Sequence, residues 1–186
     1  MAMNSYMPST MMGSLITLKR DEETTVWRAH QKVEELVYAM TKDAAVNEAQ
    51  VPHTEIVLQC TNTDNTNQEA TIIMYMQIPT SQAADAPLDI RAGEAVKEIP
   101  RDAVDLCTAY QRLKEGTDTH TPTFLGRAYQ EQPDYGWVPG GYMFFLGFLD
   151  PPGIPFGNGD IGHGFFFESA PEKKQEMKLA VKRAYM

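Results

Sequence analysis

Cysteine is scarce in this sequence: Cys60 and Cys107 stand alone in separate segments, which excludes a disulfide-built scaffold and fits a reducing compartment. Nor is there a basic block. With a formal net charge of -9 and dispersed Lys and Arg, Coulomb repulsion disfavours nucleic acid and anionic membrane surfaces, so the expected partner is a small apolar molecule or a protein. No apolar stretch reaches the roughly 18 residues of a membrane span, and the opening MAMNSYMPSTMMG has no basic n-region leading into an apolar core. A cytoplasmic protein without membrane attachment is expected. His30, His53, His120 and His163 lie far apart and lack the close Cys/His spacing of a zinc site, so no metal is expected, and no cofactor.

What is present is enough apolar residue, 42% of 186, for one core. Residues 1–13 show no period and are expected to be a flexible N-terminal arm, with residues 14–186 forming a single domain. Val26, His30, Val33, Val37 and Met40 recur at three- and four-residue steps, which predicts an amphipathic helix over residues 24–40. After Pro52, Ile56, Leu58 and Cys60 alternate with polar or smaller neighbours, and Ile72, Met74, Met76 and Ile78 share a second alternating face. With turn residues between them these predict a β-hairpin. Residues 80–100 read as a surface connection with Arg91, Glu94 and Lys97 on a short helix. Ala103, Leu106, Cys107, Tyr110 and Leu113 then follow helical spacing up to Gly116. A short strand is expected around Phe124 and Leu125, and YMFFLGFL from Tyr142 to Leu149 reads as a buried central strand. A Pro- and Gly-rich loop follows, and Ser169 with Glu172 forms a capping-box signature for a last helix.

This order of elements resembles the small lobe and hinge of protein-kinase-like phosphotransferases, and among them the kinase-like proteins common in fungi. TPTFLG at residues 121–126, WVPGGYMFFLGFLDPPGIPF at 137–156 and AVKRAYM at 180–186 carry the likeness, together with ATIIMYMQIP at 70–79 and DIRA at 89–92. The resemblance implies an α+β fold, a kinase small-lobe-like antiparallel sheet with flanking helices and a C-terminal helix after the hinge. It also implies that these residues do not include the catalytic lobe. Phosphoryl transfer needs a phosphate cradle, a cation and metal-binding carboxylates. Here the hairpin turn TNTDNTNQ has no glycine, and Ile73, Met74, Tyr75 and Met76 offer no lysine. Leu106 stands where the family's helix glutamate would fall, with Asp105 one place out of register. The chain is therefore expected to be a pseudokinase, incompetent for phosphoryl transfer.

Two functions fit these residues. The first is a binding module that takes a small molecule or protein in the former hinge cleft, through Met74, Met76, Tyr142, Phe145, Phe148, Asp150 and Glu168. Methionine adapts its shape, and aromatics offer large contact areas. The second is a cofactor-independent isomerase, cyclase or dehydratase acting on an apolar metabolite of fungal specialised metabolism. There Asp160 and His163, three residues apart in the Gly-rich loop, would pair a carboxylate with an imidazole. Loss of the second lobe predicts an uncovered apolar face, and with it a homodimer that covers that face or a ligand pocket formed from it.

Overall fold

The computed structural model describes residues 5–113, 122–149 and 168–184. It divides into two compact units, Met1–Pro151 and Pro152–Met186. The first unit is built on six antiparallel strands: β1 (Leu15–Arg20), β2 (Glu23–Tyr38), β3 (His53–Asn62), β4 (Glu69–Gln77), β5 (Thr123–Glu131) and β6 (Tyr142–Leu149). They close into a barrel in the order β1-β2-β3-β4-β6-β5. The kinase small-lobe fold expected from the resemblance is therefore corrected to a closed antiparallel barrel. A kinase-like or pseudokinase reading of the missing lysine, glutamate and glycine loop has no such lobe to refer to.

The largest local correction is residues 24–40, where a helix was expected and strand β2 is found. Its more buried positions are Trp27, Ala29, Lys32, Glu35 and Val37. A strict strand would space them by two, but the ladder to β3 shifts register between Ala29 and Gln31 and again between Lys32 and Glu34. Each β-bulge adds a residue, converting a step of two into a step of three. The stripe that suggested a helix is a different set, since His30 and Val33 are exposed and only Val37 of it is among the positions just named, so its spacing is unrelated to the two bulges. The bulges let one strand bend from its partner β1, which it meets over Glu23–Arg28, to its partner β3, which it meets from Trp27 to Tyr38.

The β3–β4 hairpin is where alternation placed it, in register from His53↔Gln77 to Thr61↔Glu69. Strand β6 lies between β4 and β5 and is buried on both faces. Met143 and Phe145 point into the barrel, where they join Ile16, Leu18, Trp27, Ile56, Leu58, Ile72, Met74 and Met76. Tyr142, Phe144, Leu146 and Phe148 point outward, and that outer layer is covered by helix α3 (Arg101–Leu113) through Ala103, Leu106, Cys107 and Tyr110. Small barrels fill their interior with side chains, so cavities are expected at the ends. Cys60 belongs to the inner cluster and Cys107 to the outer, and both thiols are free.

Closure depends on the β1–β5 seam, where the register contains a single pair, Lys19↔Arg127. Gly126 makes that approach possible. It has φ +130° at a bulge in β5, and a Cβ there would lie 2.6 Å from the carbonyl oxygen of Lys19. Gly147 faces the interior in the same region, and a Cβ on it would meet Leu18 Cδ1 at 2.1 Å.

Two short helices, α1 (Lys42–Glu48) and α2 (Leu88–Ala92), lie in the connections after β2 and β4. Arg91 falls on α2, while Glu94 and Lys97 follow it. In the second unit, α4 (Pro171–Ala184) begins with proline at its first position, where no backbone donor is needed. The Ala170 carbonyl accepts from Lys174 N–H at 3.0 Å. Among the described residues no helix is long and apolar enough to cross a membrane.

Candidate functional site

One end of the barrel opens into a cavity of about 750 Å3. Its floor is the inner face of three strands, with Ile16 from β1, Met76 from β4, and Met143 and Phe145 from β6. Ile16, Met76 and Met143 each stand near the end of a strand, two residues above a core neighbour on the same face, and Phe145 lies one step deeper; all four are buried. One wall is the connection from β5 to β6, which carries Tyr135 and Trp137. The other is the chain leading into β1, which carries Met7 and Met11.

Both walls are held by specific bonds. Gln132 is buried in the β5–β6 connection, where its side chain donates to the Gln77 carbonyl at 2.7 Å and accepts from Val138 N–H at 3.0 Å. Gln77 in turn donates to the Glu94 carbonyl and accepts from Val96 N–H, so both buried amides are satisfied. On the opposite side, residues 5–13 lie along the barrel end, with a 3-10 turn at Ser9–Met11 that buries Met11 in the inner core. Gly13 takes φ +81° to bring the chain into β1, and its N–H bonds the Ala29 carbonyl at 2.8 Å.

The anchor of this segment is Glu35. Its carboxylate accepts from Ser5 Oγ at 2.6 Å, Tyr6 N–H at 2.7 Å and Met7 N–H at 3.2 Å, and pairs with Lys32 Nζ at 2.8 Å. Burial alone would raise the Glu35 carboxyl. Its bonds from Lys32, Ser5 and Tyr6 outweigh that and hold it below the ordinary value. Tyr6 also meets Trp137 edge to face, with ring centroids 4.9 Å apart, and its carbonyl accepts from Trp137 Nε1 at 2.7 Å. The two walls therefore touch each other across the mouth.

Arg91 supplies the polar element. It donates from Nη1 to the Trp137 carbonyl at 3.1 Å, and its guanidinium sits 5.7 Å from the Trp137 ring centroid. Its Nε is buried without a hydrogen-bond partner among the described residues, although Arg91 lines the cavity. An unsatisfied buried N–H costs about 1–3 kcal/mol.

The residues singled out in the sequence divide between places. Met76 and Phe145 line the cavity, and Met74 lies in the same inner cluster. Tyr142 and Phe148 face the other way, into the layer beneath α3. There Phe148 packs on Tyr110 at 4.5 Å, and burial pushes the Tyr142 hydroxyl up from its ordinary value. Glu168 is exposed at the start of the second unit's described residues. Asp150, Asp160 and His163 lie outside the described residues. Trp137 and the N-terminal segment were not foreseen. A tryptophan among turn residues such as Pro133, Asp134 and Gly136 was the available signal for the first.

A second titratable group sits on the outer face of the sheet, where His53 stacks on Tyr38 at 4.7 Å and lies 6.4 Å from Tyr75. Burial lowers the His53 pKa and raises that of Glu55. Among the described residues, no three His, Cys, Asp or Glu side chains are placed to hold a metal. The chain matches no family model, no curated protein and no solved structure.

Proposed function

We propose that this chain is a binding module for a small amphipathic molecule, held at the barrel mouth with its apolar body on Met7, Trp137 and Met143, above the buried Met76 and Phe145, and an acceptor group at Arg91. The observation that carries the reading is the cavity itself. At about 750 Å3 it lies within the range of sites that take drug-sized molecules, with an apolar floor and polar groups such as Arg91, Gln130 and Glu131 around it. Three of its methionines, Met7, Met76 and Met143, come from separate segments, which suits a ligand of irregular shape. Its described walls contain the Arg91 guanidinium and one carboxylate, Glu131, which is paired with Lys97 at 2.5 Å, and no imidazole beside it for acid/base work.

The test is a titration with N-phenyl-1-naphthylamine, a neutral apolar dye whose emission rises out of water. Saturable binding is expected, with quenching of Trp137 emission that disappears in Trp137→Phe while Trp27 still reports the intact barrel. Met143→Glu places a charge in the floor and should weaken binding by at least about 10-fold, the equivalent of roughly 1.4 kcal/mol. Binding that is equally strong in Met143→Glu and leaves Trp137 unquenched would place the dye elsewhere and refute the reading.

A further inference from the structure

A second cavity, of about 1050 Å3, runs along the outside of the barrel at the β1–β5 seam and shares only Gln130 with the mouth. It contains Lys19, Arg20 and Arg127 in a chain whose net charge is -9. Arg20 is internally committed, donating to the Phe124 carbonyl at 2.8 Å and pairing with Glu23. Lys19 and Arg127 are different. They stand directly opposite each other as the pair that closes the barrel, both exposed. Directly opposed residues on antiparallel strands have Cβ atoms roughly 4.5–5.5 Å apart, and like charges there repel. Among the described residues neither forms an ion pair. Among the described residues the Arg127 side chain donates to Cys107 Sγ at 3.7 Å, a weak acceptor.

Among the described residues the closing pair of the barrel is thus two cations with no ion-pair partner, and a bound anion would turn that repulsion into attraction. The rest of the groove limits what the anion is attached to. Phe124 and Phe144, both buried, line its base, Tyr129 is exposed along it, and Gln111 of α3 offers an amide. Asp21 lies at the rim in the β1–β2 turn, with φ +55°, and its negative charge disfavours a polyanion. We propose that this groove binds a small organic monoanion or phosphate monoester on an aromatic ring, its charged group between Lys19 and Arg127 and its ring over Tyr129. The site is independent of the barrel mouth.

The test is an amide NMR titration of the whole chain, at low ionic strength, with phenyl phosphate, benzoate and inorganic phosphate as separate probes. The aromatic anions should give saturable shifts around Lys19, Arg127 and Tyr129 and none around Trp137. Inorganic phosphate should bind more weakly than phenyl phosphate. Lys19→Gln and Arg127→Gln should each weaken phenyl phosphate by about 10-fold, the loss expected for one charge contact. Because each variant also removes the repulsion, its melting temperature should equal or exceed that of the parent chain. Benzoate against phenyl phosphate decides between a carboxylate and a phosphate ligand. Unchanged affinity in both variants, shifts spread over the whole surface, or a lowered melting temperature with either glutamine would overturn the proposal. Loss of dye binding at the mouth with these shifts intact would sink the proposed function alone.

Discussion

Replacing Gly126 with alanine should open the barrel at its seam, and its cost can be worked from the geometry. The alanine would have to hold φ +130°, a strained backbone for any residue with a Cβ, at about 1–3 kcal/mol. Its Cβ would also lie 2.6 Å from the Lys19 carbonyl oxygen and 2.7 Å from the Lys19 carbonyl carbon, both backbone atoms that no rotamer change can move. Restoring ordinary contact requires β1 to withdraw by several tenths of an ångström. Overpacking of this kind costs a further 1–3 kcal/mol or so. The total is about 2–6 kcal/mol, and a domain of this size loses roughly 2–4 °C in Tm per kcal/mol. A fall of about 8–16 °C is therefore expected at the middle of that range. Circular dichroism melts measure it, and hydrogen exchange should show faster exchange at Lys19 and Arg127 than elsewhere in the sheet. Gly13→Ala is the comparator, since its φ is +81° but nothing lies within 4 Å of the new Cβ. It should cost only the backbone strain, about 1–2 kcal/mol. If Gly126→Ala melts no lower than Gly13→Ala, with the seam amides still protected, then closure by close approach at Gly126 is wrong.

Two predictions concern pH. Glu35 has a folded pKa below its ordinary 4.5, so the docking energy of residues 5–7 is fully present above that value and is lost as pH falls through the folded pKa. Tryptophan emission followed from pH 6 to 3 should shift to the red with a midpoint below 4.5, and Glu35→Gln should show the shifted spectrum already at pH 7; a midpoint above 4.5 would contradict the assignment. His53 has a folded pKa lowered from 6.5 by burial, so the unfolded chain binds the proton first and stability declines as pH drops below about 6.5. His53→Phe should flatten the melting-temperature profile between pH 7 and 5, and an unchanged slope would show that another group is responsible.

How much was legible in the sequence follows from how each segment carries its pattern. The hairpin of β3 and β4 and the strand β6 were readable because side chains alternate without interruption or fill both faces. Helix α3 was readable because Ala103, Leu106, Cys107 and Tyr110 fall on one stripe. Strand β2 was misread because Val26, His30, Val33, Val37 and Met40 fall at helical steps although His30 and Val33 are exposed. Its inward positions cross two bulges and include Lys32 and Glu35, and so carry no apolar alternation. Strand β1 had a short alternating signal, Ile16 and Leu18 against Thr17 and Lys19, too brief to stand out beside the arm. Closure could not be read at all, since Gly126 matters only through Lys19, more than a hundred residues away. The candidate site shares this property. Met76 and Phe145 were visible as apolar strand residues, but Arg91, Trp137 and Met11 join them only when the barrel forms. The resemblance on which the fold expectation rested joined element order to short segments such as residues 137–156, and with β2 read as a helix that order gave flanking helices instead of a barrel.

The most direct test of the central claim is native mass spectrometry of the intact chain, as purified and after incubation with a cell extract, beside Met143→Glu. A single small molecule retained at one copy per chain by the parent protein, lost on mild collisional activation and absent from the variant, is the result expected of an apolar site at the barrel mouth. A parent chain that retains nothing from any extract, or a variant that retains the same molecule equally well, would contradict it.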